Sequence, residues 1–215
     1  PQHYAVMLGA LAAGIACCVN WMLKPAALIE LIRSSNAKVV VALGPTPGFE
    51  IWENVQAIRS DIPGSVRVLS VQGTAGTRIP ESDFGDLAAK QPGDRLAFVR
   101  KAAPEDVAAY VHSGGTTGSP KLVKLTHCGF CYKCWANSVV MGHTPEDVMF
   151  SDYPMFHIAG FFGRGVLPIA GAMSIVIPTP LGARDKRFMS NYWKFIEKFR
   201  ISLLSGVPTT LSVLA

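Results

Sequence analysis

Charged residues are scarce in this sequence. Asp, Glu, Lys and Arg make up 16% of the 215 residues, whereas 49% are hydrophobic. A disordered chain has the opposite balance, because a low apolar content leaves too little surface to bury against the entropy of folding. The composition therefore excludes a disordered protein and indicates a globular chain that is long enough to bury a substantial core.

Runs of like charge are also missing, although the formal net charge is +5. The basic residues are scattered and nowhere form a block of five or six, so the sequence offers no basic stripe to follow a nucleic-acid backbone. A positive balance of this size favours small anionic partners such as nucleotides or CoA. We expect no nucleic acid partner.

Cysteine is limited to five residues. This number is odd, and it is too small for the dense disulfide frameworks of small secreted domains. A reducing compartment, the cytoplasm, fits this cysteine content better.

Three of the cysteines, Cys128, Cys131 and Cys134, form a Cys-x2-Cys-x2-Cys run directly after His127. An iron–sulfur run of the ferredoxin type needs a further cysteine followed by proline, and Ser138 stands at that position. Thiols three residues apart on a helix share one packing face. We therefore predict buried or half-buried thiols rather than a metal cluster.

A long uncharged segment, residues 4–19, lies near the start of the chain. A membrane helix is one interpretation of it. Gly9 and Gly14 interrupt the segment, it is just short of a comfortable span, and no basic region precedes it to mark a signal peptide. We favour two buried elements, a helix over residues 4–13 that ends at a left-handed Gly14, and a strand over residues 15–19.

Short, apolar, β-branched segments then alternate with helical patterns along the rest of the chain. The predicted strands span residues 38–43, 65–71, 107–112, 122–125, 148–153, 173–177 and 201–205. The predicted helices span residues 25–35, 49–60, 84–90, 128–141, 157–170 and 186–199, and a last one begins after Pro208. This alternation predicts an α/β fold with right-handed crossovers and mostly parallel sheets covered by helices on both faces.

Glycine, proline and charge rise between residues 72 and 105, which makes this stretch the best candidate for a linker. It divides the chain into a first α/β block with the linker, residues 1–105, and a second α/β block, residues 106–215. The two blocks are not a short-period repeat, and the sequence has no low-complexity segment.

The most informative segment runs from Tyr110 to Lys121 and reads Tyr-Val-His-Ser-Gly-Gly-Thr-Thr-Gly-Ser-Pro-Lys, directly after a predicted strand. Its glycines let consecutive N–H groups approach an anion, and its hydroxyls can donate to phosphate oxygens or face a magnesium ion. The ammonium of Lys121 adds a positive charge. These features predict a phosphate-binding loop whose candidate contacts are Ser113, Gly114, Gly115, Thr116, Thr117, Gly118, Ser119 and Lys121.

Two common phosphate motifs do not fit this segment. The Walker loop needs Gly-Lys-Ser/Thr at the start of a helix, whereas Pro120 precedes Lys121 and Leu122 follows it. The dinucleotide fingerprint does not match either. A plain Gly/Ser turn between two strands is the non-functional alternative, and the length of the complete string argues against it.

The string from Tyr110 to Lys121 resembles the phosphate-loop signature of the adenylate-forming superfamily, which includes acyl-CoA synthetases, luciferases and peptide-synthetase adenylation domains. Other resemblances follow in family order at residues 8–15 and 37–41 (an early helix and strands), 125–127 (the segment after the loop), 154–160 (the second core motif, Pro-Met-Phe-His-Ile-Ala-Gly) and 205–209 (the stretch before the acyl-pocket helix). The chain thus resembles an amino-terminal piece of an AMP-forming acyl-CoA synthetase. The fold this implies is part of the large amino-terminal domain of such an enzyme.

The resemblance implies a two-step activation of a carboxylic acid. The acid attacks the α-phosphate of ATP to give an acyl-adenylate and pyrophosphate, and the thiol of CoA then displaces AMP. The implied cofactors and co-substrates are ATP, Mg²⁺ and CoA, and the implied setting is fatty acid metabolism or a related pathway.

The resemblance also implies roles for particular residues. Lys121, Thr116 and Thr117 offset charge on the leaving phosphates, and Thr117 is the candidate magnesium contact. Lys121 and His157 are the implied catalytic residues, and His157 lies between the acid pocket and the nucleotide. From the residues alone, His157 beside Phe156 could instead be a hydrogen-bonded core histidine.

Several family features have no counterpart in these 215 residues: the acidic motif that binds adenine and magnesium, the ribose-binding aspartate, the hinge, the adenylation lysine and the carboxy-terminal domain. We therefore expect that this stretch alone cannot complete catalysis. An aryl-CoA ligase, a carrier-protein adenylation domain and a noncatalytic nucleotide-binding α/β module are the alternatives, with a membrane-anchored protein a weaker one. The residues leave open which acid is used, fatty, aryl or other, and the oligomeric state.

Overall fold

Helices and strands alternate along the chain in the computed structural model, which describes residues 1–71, 82–113 and 120–214. The strands are β1 Ala16–Cys18, β2 Val39–Leu43, β3 Arg67–Val71, β4 Val107–His112, β5 Leu122–Thr126, β6 Val148–Phe150 and β7 Ser174–Val176. The α-helices are α1 Gln2–Ala13, α2 Pro25–Ser34, α3 Ile51–Ala57, α4 Phe84–Ala89, α5 His127–Met141, α6 Leu167–Ala170, α7 Lys186–Ser190, α8 Tyr192–Phe199 and α9 Pro208–Leu214.

The strands of the described residues form three small sheets with the orders β1-β4-β5, β2-β3 and β6-β7. The pairs β1–β4, β2–β3 and β6–β7 are parallel, and β4–β5 is antiparallel. The predicted α/β fold with mostly parallel sheets is confirmed. The antiparallel pair is the two-stranded hairpin that carries the predicted phosphate loop.

Strand β1 pairs with β4, with Ala16 opposite Ala109 and Cys18 opposite Val111. A strand from the first predicted block therefore lies in one sheet with strands of the second block. The division at residue 105 itself stays a prediction. Residues 72–81 of the predicted linker lie outside the described residues.

The uncharged segment near the start of the chain is a helix followed by a short buried strand, as predicted. No helix in the three described ranges has the length and apolarity that a membrane span requires. The prediction of a left-handed Gly14 is wrong, because its φ of −173° is extended backbone. Asn36, where helix α2 was expected to end, does adopt a left-handed conformation with a φ of 51°.

The central core lies between α1, β1, β4 and α5. Its buried members are Met7, Ala16, Cys18, Ala108, Ala109, Phe130 and Phe161. The alanines leave room for helices to pack closely on both sides of strands β1 and β4, which is typical of a buried sheet. Phe161 belongs to the segment after β6, so the same core anchors this segment and the strand that precedes the phosphate loop.

A second cluster packs the end of the chain against β6. Phe150, Phe188, Tyr192 and Ile201 are its buried members, and the rings of Phe150 and Phe188 meet edge to face at 5.3 Å between centroids. This geometry is one that aromatic pairs prefer. The cluster fixes α7 and α8 on the strand that leads into residues 154–160.

Three predicted elements differ in the structure. The helix predicted over residues 157–170 is a π-helix over Ala159–Val166 followed by α6, rather than one α-helix. The helix predicted over residues 186–199 is broken at Asn191 into α7 and α8. The strand predicted over residues 201–205 is reduced to one bridge between Met149 and Leu203.

The prediction of buried or half-buried cysteines on α5 is wrong for two of the three. Cys128 and Cys131 are exposed and Cys134 is half-buried. The reason is that α5 places only Phe130 in the core among its residues. The first turns of the helix leave Cys128 and Cys131 uncovered.

Candidate functional site

The two ends of the predicted phosphate loop are joined by backbone hydrogen bonds. Strands β4 and β5 pair with His112 opposite Leu122, and the amide of Ser113 donates to the carbonyl of Lys121 at 2.9 Å. The side chains of Ser113 and Lys121 are both exposed. The hairpin therefore holds these two predicted contacts side by side at the base of the loop.

The remaining predicted loop contacts lie outside the described residues. They are Gly114, Gly115, Thr116, Thr117, Gly118 and Ser119. Their roles, including that of Thr117 toward magnesium, stay predictions. Among the described residues, no group of three or more His, Cys, Asp or Glu side chains is placed to hold a metal ion.

His112 lies at the carboxyl end of β4, where the chain enters the loop. Its Nε2 accepts a hydrogen bond from the amide of Asn20 at 3.1 Å, and Asn20 follows β1. Burial lowers the pKa of His112, and its backbone hydrogen bond with Ser113 partly opposes this lowering. The ring is therefore neutral near pH 7, and it ties together the carboxyl ends of two parallel strands, the position where α/β sheets bind ligands.

His157 is exposed, so the interpretation as a core histidine is wrong. Its Nδ1 accepts from the amide of Ala159 at 3.2 Å, and its carbonyl accepts from the amides of Gly160 and Phe161 at 2.9 and 2.8 Å. His157 thus stands exposed two residues before the π-helix, with its ring held by the Ala159 amide.

The turn before His157 is tight because Gly160 packs directly on the backbone of Pro154. A Cβ at position 160 would overlap the carbonyl of Pro154, and the amide of His157 donates to that same carbonyl at 3.0 Å. Only glycine leaves room for this approach. The turn holds the His157 ring at the start of the π-helix.

A buried ion pair lies beneath this turn, and the sequence reasoning missed it. Arg164 Nε donates to Oδ1 of Asp152 at 3.0 Å, and both side chains are buried. Arg164 Nη2 also donates to the carbonyl of Ser205 at 2.7 Å. The guanidinium therefore ties the segment after β6 to the segment that precedes α9.

One signal for this pair was present in the sequence. Arg164 is the only charged residue between positions 158 and 170, and a charge in such an apolar stretch requires a partner when it is buried. Asp152 lies within the strand predicted over residues 148–153. Burial raises the pKa of Asp152, and the adjacent Arg164 opposes this rise.

Tyr4 of α1 completes the buried network. Its hydroxyl is 2.5 Å from Oγ of Ser151 and donates to the carbonyl of Arg164 at 3.1 Å. Its ring occupies the space that a Cβ on Gly165 would need. Helix α1 is thereby fixed on the π-helix that follows His157.

A cavity of about 200 Å³ lies beside the Ser205 segment, between α8 and α9. Its lining residues are Tyr192, Trp193, Leu204, Ser205, Gly206, Thr210, Leu211 and Leu214. The cavity is smaller than the usual range for ligand pockets, about 300–1,000 Å³. It borders the stretch that the resemblance assigns to the approach to the acyl pocket.

Known proteins resemble this chain along its whole length. A family model described as "AMP-binding enzyme" matches residues 1–215. Marinolic acid–CoA ligase from Pseudoalteromonas sp. is 24% identical over 221 aligned residues, which cover 100% of this chain and 33% of the ligase. The chain thus spans about a third of that relative's length.

Solved structures give the same result for the fold. ATP-bound MatB from Rhodopseudomonas palustris has a TM-score of 0.76 at 22% identity, and the match covers 99% of this chain and 38% of that one. An anthranilate CoA ligase in complex with anthranoyl-AMP has a TM-score of 0.78 at 22% identity. The match covers 96% of this chain and 38% of the ligase chain. These likenesses show the fold and confirm the one that the sequence resemblance implied.

Proposed function

The chain belongs to the AMP-binding enzyme family, and from this membership we propose that it carries the ATP phosphate loop of an AMP-forming acid–thiol ligase. The observation that carries the proposal is the hydrogen bond between the Ser113 amide and the Lys121 carbonyl. It closes the base of a loop whose sequence matches the family signature, and it leaves both side chains exposed toward a ligand.

In the proposed first step, a carboxylate oxygen of the acid attacks the α-phosphate of ATP. The new oxygen–phosphorus bond forms as the bond to pyrophosphate breaks, giving an acyl-adenylate. The loop holds the leaving phosphates in line, and Lys121 offsets their charge. A magnesium ion, when bound, neutralises further phosphate charge, with the Thr117 hydroxyl as its contact in this chain.

His157 is the exposed histidine of the second core motif. We propose that its exposed ring orients the carboxylate of the acid toward the α-phosphate, since the tight turn at Gly160 fixes the ring position.

In the second step the thiol of CoA attacks the acyl carbon and AMP leaves. We place the reaction in the cytoplasm, because all five cysteines are free thiols.

The acid is proposed to be a fatty or an aryl acid. A marinolic acid–CoA ligase and an anthranilate CoA ligase are both similar to this chain.

The reaction is tested with stable mimics of the acyl-adenylate, in which a sulfamate replaces the phosphate. We expect the chain to bind an acyl or aroyl sulfamoyl adenosine more tightly than adenosine sulfamate without the acyl group. Equal affinities would refute a contribution of these 215 residues to binding the acid and would favour a noncatalytic nucleotide-binding module. The preferred acyl group in a panel of alkyl and aryl mimics separates the two acid classes.

A second assay addresses the expectation that these 215 residues do not complete the reaction alone. Acid-dependent exchange between ATP and pyrophosphate should be undetectable with the chain by itself. Robust exchange would show that the residues needed for adenylation are all present in it.

A further inference from the structure

The five cysteines differ strongly in their access to solvent. Cys18 is buried and Cys17 is half-buried, whereas Cys128 and Cys131 are exposed. Burial raises the pKa of Cys17 to about 11 and raises that of Cys18 as well. Because the thiolate is the nucleophile in thiol chemistry, these two cysteines are inert near neutral pH.

Cys128 and Cys131 both lie on α5, three residues apart, so their side chains occupy the same face of the helix. In regular α-helix geometry the Cα atoms of such a pair are about 5 Å apart, inside the range that disulfides accept. Their Cβ atoms are about 1 Å too far apart for an unstrained disulfide, however. A bond between them therefore requires a local tightening of the helix.

The first turn of α5 permits this tightening. The amide of Cys128 donates to the carbonyl of Pro104 at 2.8 Å, so it takes no part in the hydrogen-bond ladder of the helix. Thr126 caps the turn by accepting from the amide of Gly129 at 3.2 Å, and its Oγ1 is also 3.3 Å from Sγ of Cys128. A shift of Cys128 toward Cys131 therefore costs no helical hydrogen bond of its own amide, and the strain falls on the bond that its carbonyl accepts in the helical ladder.

Cys134 is a poorer partner for Cys131. It is half-buried, and burial, followed by the proximity of Cys131, raises the pKa of its thiol. The exposed pair at the first turn is therefore the one more accessible to a small disulfide.

From these observations we propose that Cys128 and Cys131 form a site of reversible thiol–disulfide exchange, which reacts with small disulfides of the glutathione class. A strained and exposed disulfide is readily reduced again, and such labile bonds are typical of transient disulfides in reducing compartments. The site is independent of the phosphate loop.

The exchange proceeds in two balanced steps. The Cys128 thiol loses its proton and attacks one sulfur of the small disulfide. The disulfide bond breaks, and one small thiol leaves with that proton. Cys131 then loses its proton and attacks Sγ of Cys128 in the mixed disulfide, which releases the second small thiol. The two cysteines are oxidised by two electrons in total, and the small disulfide is reduced by the same two.

The test is incubation of the intact chain with oxidised glutathione, an alkylating quench, and mass spectrometry after trypsin digestion. Trypsin cleaves after Lys124 and Lys133, which places Cys128 and Cys131 in one peptide and Cys134 in the next. We expect the peptide of residues 125–133 to lose two hydrogens and to escape alkylation. Dithiothreitol should restore both thiols.

Three serine variants make the test specific. In the Cys131→Ser variant the reaction should stop at a mixed disulfide between glutathione and Cys128. The Cys128→Ser variant should form no disulfide within the peptide of residues 125–133. Cys134→Ser is the matched control and should form the Cys128–Cys131 disulfide as the wild type does. The proposal is overturned if the wild type stops at a mixed disulfide, if the link joins the two tryptic peptides, or if all five thiols are still alkylated.

Discussion

The amide of Ser113 donates to the carbonyl of Lys121 at 2.9 Å, so the first and last contacts of the predicted phosphate loop are fixed to each other. The β4–β5 ladder continues this bond with His112 opposite Leu122. A binding loop whose ends are already joined loses less entropy when it orders around a ligand. The hairpin is therefore a prepared base for a phosphate site.

The buried pair of Arg164 and Asp152 should be essential for stability. Replacing Arg164 by Met leaves the Asp152 carboxylate buried without its partner, and loss of one member of a buried pair costs about 3–5 kcal/mol. Urea unfolding measures the loss. Arg95→Met is the matched control, because the Arg95–Asp94 pair is exposed, and such pairs contribute about 1 kcal/mol or less. Equal losses in the two variants would contradict the role of the buried pair.

The close approach of Gly160 to Pro154 predicts a sharp difference between two glycines of the same π-helix. Gly160→Ala should destabilise the fold by about 1–3 kcal/mol, because the new methyl group overlaps the Pro154 carbonyl and forces the backbone to shift. Gly163→Ala should have little effect, since a Cβ there meets no atom within 4 Å. Thermal unfolding compares the two variants, and a Gly160→Ala protein as stable as Gly163→Ala would rule out the tight turn.

Acid should weaken the fold through His3. Burial lowers the pKa of His3 from 6.5 to about 4, so the folded state binds fewer protons at this ring than the unfolded state does. The contribution of the neutral His3 ring to the free energy of unfolding is complete above pH 6.5 and is lost as the pH falls toward 4. The loss is roughly 3 kcal/mol at most.

The His3 effect is isolated by comparison with a variant that cannot gain a proton. His3→Gln should lose less stability than the wild type between pH 7 and pH 4 when urea unfolding is measured at both. His157→Gln, which changes an exposed ring, serves as the control and should follow the wild type. Identical pH profiles for wild type and His3→Gln would contradict the lowered pKa of His3.

Much of the fold could be predicted from hydrophobic patterning. Strand β4 has the predicted bounds, Val107–His112, because its run of apolar residues ends sharply at the glycine-rich loop. The strand predicted over residues 201–205 has a similar composition, yet Leu203 makes only one bridge. Whether an apolar run pairs along its length depends on the neighbouring strand, and composition does not contain that information.

The site could be predicted only in part. The phosphate-loop string and His157 were predicted as site residues from residue types and the family resemblance, and their roles stay predictions. The Arg164–Asp152 pair was missed, because its two members are separated along the chain and come together only through the packing of the π-helix on β6. The exposure of Cys128 and Cys131 was also missed, since a shared helix face does not reveal whether another element covers it.

The most direct test of the proposed phosphate site is a calorimetric titration of MgATP into the chain and into a Lys121→Ala/Thr117→Ala double variant. The wild type should bind MgATP, and the variant should bind it at least about 10-fold more weakly, because a charge-assisted contact to phosphate contributes about 1.5–3 kcal/mol. Lys124→Ala, also exposed on β5, is the matched control for loss of one positive charge and should bind like the wild type. Equal affinity in the wild type and the double variant would contradict the assignment of this loop as the ATP phosphate site.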